Sequence, residues 1–269
     1  MPVAGNPTEE MVEAAFAAAG VQARYVSLEV KPDDLPDALR GVRALGFAGL
    51  NVTVPYKVAV AHLLERRTKG AEVSGAVNCI KREGEALVGD NTDGKGFVGT
   101  LRRLIDPRGR TAVVIGAGGA ARAIAAELAL AGAARLTIVN RSGGRAAEVA
   151  AAVSGATGVE CLHVALTEEW AVPPDADVVV QTTTVGMADA NARLPLRWSR
   201  PAHEDAVAAD IVISRDTRFL REARTHGYRT LAGPGMLVEQ AAIGFRWWTG
   251  IEPDRAVMHA ALDRELERV

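Results

Sequence analysis

Gly116-Ala117-Gly118-Gly119-Ala120-Ala121 lies between an apolar run, Thr111 to Ile115, and an alanine-rich stretch, Ala120 to Ala131. Few local sequences constrain a fold as much. The pattern fits G-x-G-x-x-G/A, in which the first glycine allows a tight strand-to-helix turn. The second lets the backbone approach a pyrophosphate, and a small third residue lets helix and strand pack closely. Free N–H groups at the helix start, reinforced by the helix dipole, hold an anion. The match is specific only in context, and here a strand precedes it and a helix follows. By length, Ala112 to Ala134 could pass for a membrane span. Arg122, Glu127 and the glycine cluster interrupt it, so the segment reads as strand, turn and helix.

The next strand indicates which dinucleotide is bound. An NAD site places a carboxylate about 20 residues on, against the ribose 2′-hydroxyl. Here that strand ends Thr137-Ile138-Val139-Asn140-Arg141-Ser142, with Arg145 following and no carboxylate. Guanidinium groups pair with phosphate and stack on adenine. Asn140, Arg141, Ser142 and Arg145 therefore favour NADP(H) over NAD(H), with Gly116, Gly118, Gly119 and Ala120 forming the pyrophosphate turn.

Around this unit the chain alternates helices and strands. Helices are expected at Glu9–Ala19, Pro36–Leu45, Val58–Arg66 and Gly94–Leu104, and strands at Ala23–Val30 and Phe47–Val54. A hairpin turns at Glu83-Gly84. Asp106-Pro107-Arg108-Gly109 is the best linker. From residue 111 to about 232 strand–helix units repeat, as in a doubly wound sheet, and helices follow at Met236–Gly250 and Arg255–Glu267. At about 150 residues per domain, 269 residues make two domains.

Thirty-one basic and 33 acidic residues leave a net charge of −2, which gives no support to a nucleic-acid-coating or polybasic membrane protein. The two cysteines, Cys79 and Cys161, cannot form a disulfide framework, and the five histidines are scattered without metal-ligand spacing. No metal is expected. Met1 to Glu10 lacks the basic start and apolar run of a signal peptide, so a cytoplasmic location is expected.

Two further segments carry chemistry. In Asn51-Val52-Thr53-Val54-Pro55-Tyr56-Lys57, Asn51 and Thr53 share one side of a strand. Lys57 falls in the first turn of a helix, whose partial positive charge disfavours an ammonium and suits the lysine to proton transfer. Elsewhere such a residue is an ordinary surface lysine. Gly89-Asp90-Asn91-Thr92-Asp93-Gly94 precedes the next helix, and Asp93 reads either as an N-cap or as the partner of Lys57 in moving a proton.

Taken together, N-V-T-V-P-Y-K (51–57), G-A-V-N (75–78), N-T-D-G (91–94), G-A-G-G-A-A-R (116–122), N-R-S (140–142), V-G-M (185–187) and M-L-V-E-Q-A (236–241) resemble the shikimate dehydrogenase family, from about residue 40 to 250. The resemblance implies an α/β fold of two domains. An N-terminal α/β substrate domain (1–105) is completed by C-terminal helices (236–269) that pack back on it. A doubly wound, Rossmann NADP-binding domain spans 106–235. It implies NADP-linked reduction of 3-dehydroshikimate to shikimate, a step of aromatic amino acid biosynthesis. Lys57 and Asp93 would manage the proton. Asn51 or Thr53, Asn78 and Gln240 would contact ring hydroxyls, and Met187 and Gly233 to Met236 would flank the nicotinamide. The partner is a small molecule, with neither nucleic acid nor membrane, and the protein a monomer or homodimer.

Two departures stand out. Where the family has G-x-P-x-x-H-S-x-S-P, with two serines that hold the substrate carboxylate, this chain has Gly5-Asn6-Pro7-Thr8-Glu9-Glu10-Met11, shorter and without serine. Two carboxylates nearby would repel a third; Thr8 and the helix N–H groups are the available substitutes. Where the family has D-x-V-Y, with a substrate-binding tyrosine, this chain has Asp210-Ile211-Val212-Ile213. Each lost hydrogen bond to a charged group is worth about 1.5–3 kcal/mol. Alternatives are therefore a paralogue acting on quinate or another polyol, and a dinucleotide-binding protein without shikimate turnover.

Overall fold

Helix α1, Thr8–Ala19, is rich in alanine and glutamate, and it buries Met11, Val12, Ala15 and Phe16. It ends at Gly20, whose φ of 67° is left-handed and suits glycine. The computed structural model describes residues 6–214 and 216–268, so Gly5 of the shortened N-terminal motif lies outside the described residues. The chain divides into two units, one running to Thr92 and resuming at Leu237, the other Asp93–Met236.

In the first unit, α2 (Leu35–Ala44) precedes β1 (Gly49–Asn51), α3 (Lys57–Ala61), β2 (Arg66–Arg67), α4 (Lys69–Ser74), β3 (Cys79–Glu83) and β4 (Ala86–Asp90). The strands form a sheet in the order β1-β3-β4-β2. The helix–strand alternation of this unit favours parallel strands, and the pairing departs from that. β1 and β4 both run antiparallel to β3, and only β2 and β4 are parallel. For β3 and β4 the reason is the tight Glu83-Gly84 hairpin, which can join only antiparallel neighbours.

The expected strand Ala23–Val30 does not form. Its Tyr25 N–H donates to Glu13 Oε1 and its Ser27 hydroxyl donates to Glu9 Oε2, so carboxylates of α1 hold the segment instead of a neighbouring strand. Val26 and Leu28, the β-formers that suggested a strand, are 51% and 60% exposed. A β-former stabilises a strand only when it has cross-strand neighbours to pack against. The expected helix Val58–Arg66 stops at Ala61, because Arg66 and Arg67 pair with Val88 and Gly89.

Helices α5 (Thr92–Leu101) and α9 (Gly233–Thr249) carry the two junctions between units, and α10 (Arg255–Arg268) closes the chain. Val238, Ala241 and Phe245 of α9 and Met258 and Leu262 of α10 share a core with Met11, Val12 and Phe16 of α1. The Phe16 and Phe245 rings are 5.2 Å apart. The C-terminal helices therefore pack with the beginning of the chain, as expected. Residues 93–105, grouped with the first domain from sequence, lie in the second unit. A Cβ on Gly94 would overlap the Ala123 carbonyl, and Arg229 Nη1 donates to Leu104 O at 2.8 Å.

The second unit comprises β5 (Thr111–Ile115), α6 (Gly119–Leu130), β6 (Arg135–Asn140), α7 (Gly143–Thr157), β7 (Glu160–Ala165), β8 (Trp170–Ala171), β9 (Val178–Gln181), β10 (Leu196–Arg197), β11 (Val207–Asp210), α8 (Arg218–Thr225) and β12 (Arg229–Ala232). Six strands form a wholly parallel sheet in the order β12-β11-β9-β5-β6-β7. This is the doubly wound order, with the switch point between β5 and β9. Its central strands are buried on both faces, which is why β5 and β9 read as continuous apolar runs. The sequence reading missed β7, whose exposed, mixed side chains give no such run, and the short pair β8 and β10. No helix is long and apolar enough to cross a membrane among the described residues.

Candidate active site

The first unit holds a chain of buried polar groups at the ends of β1, β3 and β4. Asn51 closes β1 opposite Cys79, so its side chain emerges beside the start of β3. Its Nδ2 donates to Asn78 O at 3.2 Å. Asn78 is 3% exposed; its Nδ2 donates to Thr92 Oγ1 at 3.0 Å, and its Oδ1 accepts from the Thr92 N–H at 2.6 Å. The Thr92 hydroxyl reaches Gln240 Oε1 at 3.3 Å, and Gln240 Nε2 donates to Leu237 O at 3.1 Å. Asn51, Asn78 and Gln240, which are distant in sequence, thus come together through Thr92. Thr53 is exposed in the turn after β1, where its carbonyl accepts from the Tyr56 N–H at 3.0 Å.

Two members of this site lie outside the residues that the sequence motifs single out. Thr92 reads as a turn former, and only the structure shows it as the common partner of Asn78 and Gln240. Tyr25 lies on the segment read as a strand, and its hydroxyl donates to Asn51 Oδ1 at 3.0 Å. Burial, then Cys79 and Glu9, push its phenol up, so Tyr25 stays a neutral donor.

Lys57 opens α3 and is partly buried. Asp93, 8% exposed, is the second residue of α5 and belongs to the second unit. At the start of α1, Thr8 is buried, and Asn6 Oδ1 accepts its N–H at 3.0 Å. That amide is therefore not free for a substrate carboxylate, and Glu9 and Glu10 occupy the same helical turn.

In the second unit, the expected cofactor residues lie where β5 and β6 end. Gly116 has φ 125° and sits against Thr182, whose hydroxyl donates to Ile115 O at 2.7 Å. Gly118 caps α6 without a side-chain hydrogen bond, and a Cβ there would meet nothing within 4 Å. An uncapped helix start with free space over the second glycine suits a pyrophosphate. Gly119 and Ala120 begin α6. Asn140 ends β6 and donates to Ser142 O at 3.0 Å; Ser142 caps α7 by accepting the Arg145 N–H at 3.4 Å. Arg141 and Arg145 are exposed and make no ion pair among the described residues.

Further along the same sheet edge, Met187 is 66% exposed after Gly186, which has φ 94°. Gly233 lies against the Ile211 and Val212 carbonyls, where no Cβ would fit, and Met236 is buried. Beneath these loops lies a polar knot that sequence reading missed. Asp210, 1% exposed, accepts from Gln181 Nε2 at 3.2 Å, the Val212 N–H at 3.0 Å and Thr217 Oγ1 at 2.6 Å. Burial pushes its carboxyl up in spite of these bonds. Ile213, two residues after the Val212 neighbour Ile211, offers no polar group. No cluster of three or more potential metal ligands occurs among the described residues.

These features agree with three family models. "Shikimate dehydrogenase substrate binding domain" matches residues 1–80, "Shikimate / quinate 5-dehydrogenase" 101–218, and "Shikimate 5'-dehydrogenase C-terminal domain" 233–262. A curated relative from Symbiobacterium thermophilum, named shikimate dehydrogenase (NADP(+)), is 43% identical over 99% of this chain and 92% of its own.

The chain belongs to the shikimate dehydrogenase family.

Among solved structures, 5-ketofructose reductase of a Gluconobacter strain, in ligand-free form, superposes with a TM-score of 0.93 at 42% identity, covering 98% of this chain and 95% of its own. Shikimate 5-dehydrogenase of Thermus thermophilus, solved with NADP(H) and shikimate, superposes at 0.83 with 34% identity, covering 98% and 97%. This chain is therefore similar to solved proteins whose names specify different substrates.

Proposed function

We propose that this protein is an NADP-dependent oxidoreductase of the shikimate dehydrogenase type. It interconverts a ring ketone and the corresponding secondary alcohol, with 3-dehydroshikimate and shikimate as the first substrate pair. The observation that carries this is the continuous Asn51–Asn78–Thr92–Gln240 array, which offers amide and hydroxyl groups to a polyol from four separate stretches of chain. When bound, NADPH supplies the hydride that adds to the carbonyl carbon. As the carbon–oxygen π bond opens, Lys57 delivers a proton to the oxygen and recovers it from solvent, with Asp93 as its acidic partner. Ketone, NADPH and a proton thus balance alcohol and NADP⁺. Gly116, Gly118, Gly119 and Ala120 hold the pyrophosphate. Arg141 and Arg145 hold the 2′-phosphate, with Asn140 and Ser142 shaping the turn, and Met187, Gly233 and Met236 line the nicotinamide end.

The unit that runs to Thr92 and resumes at Leu237 serves the substrate, and Asp93–Met236, apart from the proton-transfer role of Asp93, serves the cofactor. The protein works in the cytoplasm on a small molecule, as a monomer or homodimer without nucleic acid, a reading supported by its balanced charge.

A second reading keeps this chemistry and changes the substrate to an uncharged polyhydroxy ketone. It is favoured by the Glu9 and Ile213 positions and by the likeness to 5-ketofructose reductase. Following absorbance at 340 nm with shikimate, quinate and uncharged keto-sugars, each with NADP(H) and NAD(H), tests both. NADP-linked turnover of shikimate supports the first, and turnover confined to uncharged substrates the second. Silence with every substrate refutes the enzymatic reading.

A further inference from the structure

Strands β9 and β11 are parallel neighbours, and each ends on a buried polar residue, Gln181 and Asp210, paired in register. Gln181 Nε2 donates to Val185 O at 2.8 Å and to Asp210 Oδ1 at 3.2 Å, and its Oε1 accepts the Thr183 N–H. The first two partners are a carbonyl and a carboxylate, both acceptors. A side-chain amide can donate to both while accepting a third bond; an ionised glutamate cannot. Asp210 carries the connection further, to the Val212 N–H at 3.0 Å and the Thr217 hydroxyl at 2.6 Å. A Cβ on Gly186 would stand 3.3 Å from Thr217 Cγ2, and Gly233 lies against the Val212 carbonyl. One buried side chain thus connects the turn bearing Val185, Gly186 and Met187 to the residues after β11 and, through them, to the start of α9. Burying an amide and a carboxyl is costly, and an apolar pair would close these strand ends more cheaply. What the polar pair adds is a fixed geometry for backbone at the carboxyl ends of the strands, where open α/β sheets bind ligands.

We propose that Gln181 is a positioning residue for the cofactor. It acts through Val185 and Asp210, holding in one geometry the loops whose Met187, Gly233 and Met236 line the nicotinamide end. The inference rests on the cofactor reading above and deepens it by naming what keeps that end in place. The pyrophosphate turn is held separately. Gly116 sits against Thr182, whose N–H and hydroxyl both donate to Ile115 O, at 2.8 and 2.7 Å. Loss of the Gln181 side-chain bonds therefore loosens the nicotinamide end alone.

The test compares wild type, Gln181→Met and Asp177→Asn. Gln181→Met keeps an unbranched chain of similar length and removes all three bonds. Asp177 is the control: it is also buried, but it lies at the opposite end of the same sheet, where it accepts the Thr111 N–H at 2.9 Å and Arg110 Nη1 at 3.0 Å. Each protein is titrated without substrate, with NADPH and with 2′,5′-ADP, which carries the 2′-phosphate and lacks the nicotinamide. Gln181→Met is expected to raise the NADPH Kd at least about fivefold, because a released loop must be ordered on binding. Its 2′,5′-ADP Kd should stay within about twofold of wild type, since the phosphate contacts of the adenosine half are unchanged. Asp177→Asn should lower Tm without separating the two ligands. If Gln181→Met does not fold, Gln181→Met combined with Asp210→Asn removes the buried charge as well and is held to the same expectation.

Equal weakening of both ligands in the Gln181 variant, or NADPH affinity like that of wild type, overturns the inference and leaves the cofactor reading standing. The same split in Asp177→Asn overturns it too, because loss of stability alone would then explain the effect. A wild type that binds neither ligand overturns the cofactor reading, and the inference with it.

Discussion

Gly116 and Gly118 occupy one turn and share one motif, yet the structure gives them different surroundings, and Ala substitution separates the two. At Gly116, φ is 125° and a Cβ would overlap Thr182 Oγ1. The backbone conformation costs a side-chain-bearing residue about 1–3 kcal/mol. Displacing Thr182 breaks its 2.7 Å bond to Ile115 O, about 1 kcal/mol more. Gly116→Ala should therefore destabilise the protein by about 2–4 kcal/mol, a fall in Tm of roughly 5–15 °C for a chain of this size. At Gly118, φ is −84° and a Cβ would meet nothing within 4 Å. Losing glycine at an N-cap costs up to about 1 kcal/mol, offset by about 0.4–1 kcal/mol from a stiffer unfolded chain. Gly118→Ala should thus leave Tm within about 3 °C of wild type. Its methyl group would project into the space that a pyrophosphate needs, so NADPH affinity should fall at least about tenfold, or 1.4 kcal/mol. Thermal unfolding without cofactor, followed by NADPH fluorescence titration below Tm, measures both quantities. If Gly118→Ala melts as early as Gly116→Ala, or binds NADPH like wild type, the assignment of Gly118 to the cofactor is wrong.

Three other outcomes follow from the same geometry. Lys57→Ala and Asp93→Asn should each lower kcat by at least roughly a hundredfold, as for loss of acid–base catalysis, while NADPH titrates as in wild type. Joint replacement of Arg141 and Arg145 by alanine should bring the NADP and NAD dissociation constants within about tenfold of each other by weakening NADP alone, because only NADP carries the 2′-phosphate. Asp210→Asn should change the pH dependence of stability in urea unfolding. The Asp210 carboxyl titrates higher in the folded than in the unfolded chain, so the folded state holds its proton longer. Wild-type stability relative to Asp210→Asn should therefore fall as pH rises from the ordinary carboxyl range to the raised folded value. Above and below that window the difference should be flat, and a difference that instead grows with pH would contradict the burial argument.

The sequence alone determined the cofactor unit closely, because its information is local. A buried parallel strand must be apolar throughout, a tight strand–helix turn must carry glycine, and a helix start must be uncapped to hold a phosphate. Thr111–Ile115 and Gly116–Ala121 satisfy these conditions within short stretches of chain, and Asn140–Arg145 adds arginines where an NAD site would carry a carboxylate. The motif set also carried the family, and it makes Lys57, Asp93, Asn51, Asn78 and Gln240 the candidate site residues. Tertiary structure decided what depends on partners from elsewhere in the chain. Tyr25 to Val30 has the side chains of a strand, but Glu9 and Glu13 of α1 capture its polar groups, and propensity cannot register that competition. Thr92 looked like a turn residue until Asn78 and Gln240, the latter far along the chain, met on its hydroxyl. Thr8 looked available to an anion until Asn6 folded back onto its amide. The reaction type is therefore legible in short motifs. Which polar groups are already paired is not, because it depends on distant groups that only the fold brings together.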